Sequence, residues 1–146
     1  LTDDAIKSNY DYFQKLQAAG MAIENHTLHH PRLNKLSLSR QQAEICGAAG
    51  IYEEVFGRRP TLFRPPYGLM NNTTIQAAGT CGMRAVVMWH ANVENGTISY
   101  QDGDHLLPGD IVLMHFHSNM TADLQVFFNQ VRQDHLQIGR LEDWIK

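Results

Sequence analysis

Apolar residues are spaced along this chain in two ways, as helical faces and as short continuous runs. Between Ser8 and Ala19, Tyr12, Phe13 and Leu16 share one face and Gly20 supplies a left-handed stop, which predicts a helix. Met21 to Glu24 predicts a short strand running into a cluster of histidines. Ser39-Arg-Gln-Gln42 has capping-box spacing and opens a second helix, with Ile45, Ala49, Tyr52 and Phe56 inward and Gly57 at its end. Thr61 to Phe63 reads as a strand ended by Pro65-Pro66, neither of which donates to a ladder. Thr73 to Cys81 predicts a third helix, with Gly82 after it. Ala85 to Trp89 and Asp110 to Met114 are apolar runs of strand length, the second introduced by a Pro108-Gly109 turn. Leu124, Phe127, Phe128 and Val131 mark another helix, Leu136 to Ile138 a last strand, and Leu141 to Ile145 a closing helical turn. Strands alternating with helices predict an α/β fold with a parallel sheet, doubly wound or closed as a barrel.

Composition narrows the choice of function. At 146 residues and 43% hydrophobic, with no repeat or linker, the chain reads as one domain over residues 1–146 with a real core. Its net charge of −3 excludes a broad basic face for nucleic acid. No apolar run reaches the roughly 18 residues of a transmembrane segment. Nothing at Leu1 has the form of an export signal, so any such signal is expected to lie outside this sequence. Two cysteines, Cys46 and Cys81, are too few for a disulfide framework, leaving one bridge or two buried thiols.

The candidate chemistry stands just after strand ends, the edge at which α/β folds build their sites. His26 and His30 are separated by three residues, so a helical turn or a tight loop can aim both imidazoles at one ion; a third partner, commonly a carboxylate, would then be needed. A solvated His-rich turn fits the same string, and His29 reads as a surface residue. In Arg64-Pro65-Pro66-Tyr67-Gly68, an Arg at the end of a buried strand calls for a carboxylate or oxyanion, and the stiff loop can present a backbone N–H. A plain turn with an exposed Arg is the simpler alternative. His115 follows an apolar strand and is placed to act as a general acid; His117, two positions on, could equally face the site, and a satisfied core histidine is the competing reading. Trp89 either stacks on a sugar ring or packs in the core. Asp3-Asp4 reads as a solvated N-terminal turn.

Taken in order, these strings resemble motifs two to five of the polysaccharide deacetylase family, the NodB-like carbohydrate esterases. Asn25-His26-Thr27-Leu28-His29-His30-Pro31 matches the family's His-[Ser/Thr]-x-x-His-Pro motif, Arg64 to Gly68 matches the third motif, and Leu113-Met114-His115 the fifth. The resemblance implies an incomplete, distorted (β/α) barrel lacking its N-terminal strand or strands. It implies a divalent metal on His26 and His30, zinc first, with Co²⁺, Ni²⁺ or Mn²⁺ as alternatives. Arg64 would orient the catalytic aspartate and His115 would protonate the leaving amine. Tyr67, Pro65, Trp89, Leu113 and Asn92 would form the oxyanion and substrate side. The family's first motif, Thr-Phe-Asp-Asp-Gly, has no counterpart here, and the fourth, Asp-x-x-Asp-Trp, reads Asn92-Val-Glu-Asn-Gly96.

The activity implied is removal of acetyl groups from N- or O-acetylated polysaccharide or oligosaccharide, outside the cell or at its envelope. A catalytically inactive, sugar-binding relative is the alternative, and a structural domain whose histidines merely cluster is a third. A barrel without its first strand would expose sheet edges, so a dimer or segment exchange is expected. Cys46 and Cys81 would sit on consecutive barrel helices and approach each other, in an extracellular setting where a bridge persists.

Overall fold

The computed structural model describes residues 2–145 and is a mixed α/β structure made of two compact units, one ending at Val87 and the other beginning at Met88. In the first unit, a short helix α1 (Asp3–Ile6) and a 3-10 turn lead into α2 (Tyr10–Ala18). The long helix α3 (Leu38–Phe56) follows, then β1 (Leu62–Phe63), α4 (Asn72–Thr80) and β2 (Ala85–Val86). The helix α3 starts where Ser37 accepts a hydrogen bond from the Arg40 N–H, two residues before the expected cap, and ends at Gly57 with φ +68°. The helix α4 opens on a capping box between Asn71 and Thr74.

Packing in this unit runs along α3. Ile45 and Ala49 are fully buried against Leu33, Phe63, Ala77, Ala78 and Met83, while Tyr52 and Phe56 join Ile6, Phe13 and Ile23. Each large apolar side chain buried in this way contributes about 1.5–3 kcal/mol. A disulfide joins Cys46 on α3 to Cys81 just after α4, with Cα atoms 4.8 Å apart; of the two sequence readings, the bridge is the one found.

The strand pairing is parallel, with Leu62 opposite Ala85 and Phe63 opposite Val86. Asn25 makes a single parallel bridge to Phe63 on the other side. The expected strand Met21 to Glu24 forms no ladder. The N–H groups of Thr61 and Leu62 go instead to the Glu24 carboxylate, both at 2.8 Å, and Glu24 also pairs with Arg58. The expected strand Ala85 to Trp89 stops at Val86 because its partner stops: β1 is only two residues long and runs into Pro65-Pro66.

The second unit holds β3 (Ala91–Glu94), β4 (Thr97–Tyr100), β5 (Val112–Leu113), α5 (Met120–Gln133) and α6 (Leu141–Trp144). The sheet order is β4-β3-β5, with β3 antiparallel to β4 and parallel to β5. Its core is Ala91, Leu106 and Val131, with Ile98, Val112, Phe127 and Leu136 packed around them. Leu136 to Ile138, expected as a strand, is the exit from α5: His135 takes φ +57° and the Leu136 N–H returns to the Val131 carbonyl. No helix of the described residues is long and apolar enough to cross a membrane.

Candidate functional site

The histidine motif forms a tight loop held from three directions. Asn25, which is buried, donates from its side chain to the Ile45 carbonyl of α3 at 2.8 Å and accepts from the Thr27 N–H. The Thr27 hydroxyl accepts from the His30 N–H, and the Glu44 carboxylate of α3 accepts from the N–H groups of Leu28 and His29. Below the loop, the Asp3 and Asp4 N–H groups donate to the carbonyls of Thr27 and Leu28. Asp3-Asp4 is therefore not the solvated turn expected. Asp3 is buried and accepts from the Tyr10 hydroxyl, and only Asp4, paired with Lys7, faces solvent. These restraints hold Thr27 at φ +72° and His30 at φ +58°, conformations that cost a non-glycine residue of order 1 kcal/mol or more each.

Within this loop, His26 and His30 converge. Their Nε2 atoms lie 3.1 Å apart. The Nδ1 of His26 lies 2.6 Å from the Arg64 carbonyl, which only a protonated Nδ1 can satisfy, so in the neutral ring Nε2 carries the lone pair. Burial pushes the His26 pKa down to about 3, against the raising effect of that hydrogen bond, and keeps the ring neutral in the form that ligates metals. Two nitrogens each about 2.0–2.1 Å from one zinc ion, at this separation, subtend roughly a right angle, so the donor pair fits a divalent cation. Among the described residues, no group of three or more His, Cys, Asp or Glu side chains converges, so the expected third partner is not supplied there. His29 points away to Glu44, 2.8 Å from its carboxylate, and this contact raises its pKa, as the surface reading allows.

The third motif adjoins this pair. Burial lowers the Arg64 pKa, and no carboxylate pairs with its guanidinium among the described residues. Pro65 and Pro66 are buried, and Tyr67 sits at φ +58° with its ring 4.5 Å from that of His30. Among the described residues the Tyr67 N–H has no backbone acceptor, whereas those of Gly68 and Leu69 are spent within the turn. Arg32 lies over the Tyr67 ring at 5.5 Å. His26, His30, Arg64, Pro65 and Tyr67 thus stand together in the first unit.

Trp89, Asn92, Leu113 and His115 belong to the second unit. Asn92 on β3 stands opposite Leu113 on β5, and its buried side-chain oxygen has no hydrogen-bond partner among the described residues. His115 follows β5 and is exposed. His117 is differently placed: its Nδ1 accepts from the Asn119 N–H, and its Nε2 lies 2.9 Å from Oδ2 of Asp123, which is fully buried. The Nε2–Oδ2 approach is a close ion-pair contact without hydrogen-bond alignment, so His117 is turned towards Asp123 while His115 faces solvent. The Asp123 carboxylate accepts from the Gly96 N–H at 2.6 Å.

Gly96 lies in a tight turn within the string that aligns with the fourth motif. Asn95 (φ +53°) and Gly96 (φ +73°) form the two-residue turn between β3 and β4, and an Asn-Gly pair with both φ positive is what such a hairpin demands. The signal was present in Val93-Glu-Asn-Gly-Thr-Ile98, an Asn-Gly dipeptide flanked by alternating apolar positions.

Comparison with known proteins places this geometry in context. A family profile described as polysaccharide deacetylase matches residues 1–86. An uncharacterised protein of Streptomyces coelicolor is 36% identical over 151 residues, covering 99% of this chain and 61% of that protein. A family 4 carbohydrate esterase from Streptomyces lividans, solved in complex with acetate, matches with a TM-score of 0.77 at 24% identity, over 92% of this chain and 72% of its own. A family 4 pseudoenzyme from Bacillus anthracis matches with a TM-score of 0.84 at 19% identity, over all of this chain and 54% of its own. The chain thus spans about three fifths of the Streptomyces coelicolor relative, and the two solved structures show that it shares the mixed α/β fold of family 4 esterase domains.

Proposed function

The chain belongs to the polysaccharide deacetylase family, and on that premise we propose that it forms the metal-binding part of a hydrolase that removes acetyl groups from acetylated polysaccharide or oligosaccharide. The observation that carries the reading is the convergence of the His26 and His30 Nε2 atoms, with the His26 tautomer set by the Arg64 carbonyl. A divalent cation held by these two rings, zinc first, with Co²⁺, Ni²⁺ or Mn²⁺ able to replace it, supplies a Lewis acid for the acetyl carbonyl and for water. The Tyr67 N–H, unspent and next to His30, donates to the developing oxyanion. Arg64, half-buried without a carboxylate partner among the described residues, holds an anionic group that these residues do not provide, and we assign it to the catalytic aspartate and third ligand of the first motif. His115 of the second unit is assigned as proton donor to the departing amine, with Trp89, Leu113 and Asn92 of the same unit as substrate contacts, while Pro65 of the first unit is assigned to the loop beside the metal pair. The fold detail that accompanies this is the larger part of a distorted (β/α) barrel. The Cys46–Cys81 bridge supports an oxidising setting at or beyond the cell envelope.

A second reading, a sugar-binding relative without catalysis, is favoured by one observation: the fourth-motif acids are the amides Asn92 and Asn95 here. One experiment separates the readings. Metal content and acetate release from an acetylated chitooligosaccharide are compared for the parent chain, for the parent extended by a segment carrying Asp-Asp-Gly, and for the His26→Ala/His30→Ala pair. Zinc bound by the parent and lost in the pair, with acetate released only by the extended protein, is the expected result. Equal zinc in the parent and the pair overturns the metal site. Zinc binding without acetate release from any form favours the second reading.

A further inference from the structure

We propose that Glu44 is a positioning residue for the metal loop, acting through the backbone of Leu28 and His29 to set where the His30 ring stands; this rests on the reading that His26 and His30 hold a divalent cation. One carboxylate on α3 organises the middle of the loop. Its Oε2 accepts from the Leu28 N–H at 3.2 Å and the His29 N–H at 3.0 Å, and its Oε1 lies 2.8 Å from the His29 ring. The side chain is 16% exposed, so these bonds are made in partly dry surroundings, where they are strong and where leaving an N–H unpaired is costly.

The placement explains why this residue and not a neighbour does the work. The loop is anchored at its start by Asn25, whose amide reaches the Ile45 carbonyl one residue along α3 from Glu44. It is anchored near its end by the Thr27 hydroxyl on the His30 N–H. Leu28 and His29 lie between two left-handed residues, Thr27 and His30, and have no helix or ladder to hold them. Glu44 supplies the acceptors that a ladder would have supplied. Release of those two N–H groups lets the Thr27 and His30 backbone relax towards ordinary angles and separates the two Nε2 atoms. Outer partners that orient ligands in this way typically carry 10–100-fold of metal affinity.

The test measures zinc affinity by competition with a chromophoric chelator, together with metal-free thermal melting, for Glu44→Ala, Glu44→Asp and Glu44→Gln. Glu44→Asp keeps the charge and shortens the reach, whereas Glu44→Gln keeps the reach and one acceptor oxygen for the two N–H groups. Roughly 10–100-fold weaker binding is expected for Ala and Asp, with Gln within about threefold of the parent. His29→Ala, which removes the ring contact alone, is expected to bind within about threefold. Folded Ala and Asp variants with parental affinity overturn the proposal, and so does a Gln variant as weak as Asp. If His26→Ala itself leaves binding unchanged, the metal site has failed rather than the role of Glu44.

Discussion

Replacing both Cys46 and Cys81 by alanine opens the cross-link between α3 and the end of α4 while leaving two small side chains, one on α3 and one at the C-cap of α4. The bridged residues are 35 apart in sequence. Loop-closure entropy for a ring of that size is roughly 13 cal/mol/K, or about 4 kcal/mol at 25 °C, released to the unfolded chain when the bridge is absent. Cys81 is 2% exposed among Ile45, Ala77, Ala78 and Met83, so its lost sulfur contacts add about 1 kcal/mol more. A loss of about 4–5 kcal/mol in a unit of this size lowers its melting temperature by on the order of 15–30 °C. Urea unfolding followed by far-ultraviolet circular dichroism is the suitable assay, because α2, α3 and α4 all lie in the first unit. Tryptophan fluorescence reports from the second unit, since Trp89 and Trp144 both lie after Val87. The reduced parent should behave as the double variant does. A stability difference below about 1 kcal/mol between oxidised parent and double alanine variant would refute the reasoning.

Asp123→Ala strands the Gly96 N–H and the His117 ring, both of which now meet a fully buried carboxylate, and should cost about 2–4 kcal/mol. Unfolding followed by tryptophan fluorescence reads this unit, and a loss under about 0.5 kcal/mol would show that the pair is dispensable. At high pH one contributing group is Tyr10, whose pKa is pushed up to about 12 by burial and by its bond to Asp3, alongside Tyr52, which burial pushes up further. The folded state holds this proton more tightly than the unfolded chain, whose ordinary value is about 10. The contribution is therefore complete below pH 10 and lost as pH climbs from 10 to 12. Tyr10→Phe should make the alkaline stability profile less steep in that window, with the contribution of Tyr52 remaining; an unchanged slope would mean that Tyr10 does not contribute.

Helices were legible because their signals are local. The inward face Ile45, Ala49, Tyr52 and Phe56 and the stop at Gly57 stand as the periodicity predicts, and α4 is displaced by a single residue. Strands were overread because an apolar run reports burial, while a ladder needs a partner of equal length. Ala85 to Trp89 met a two-residue partner, and Met21 to Glu24 lost its partners' N–H groups to its own Glu24 side chain. The Asn95-Gly96 hairpin carries a local signal, an Asn-Gly pair between alternating apolar positions, in the same string that aligns with the fourth motif. Spacing singled out His26, His30 and the Arg64–Gly68 loop, which the structure brings together. It missed Glu44 and Asn25, whose contribution depends on α3 passing under the loop, a tertiary fact that no local pattern carries.

His30 and Tyr67 both occupy left-handed backbone, where glycine is at ease and most side chains are not. Selection for yield or heat resistance alone would favour glycine or asparagine at these two positions. Selection for chemistry would favour the imidazole and the ring that leans on it. A library sorted first on expression would therefore discard function at the residues where it gained most in fitness for the host. The two pressures can be measured against each other by sequencing positions 30 and 67 after each sort.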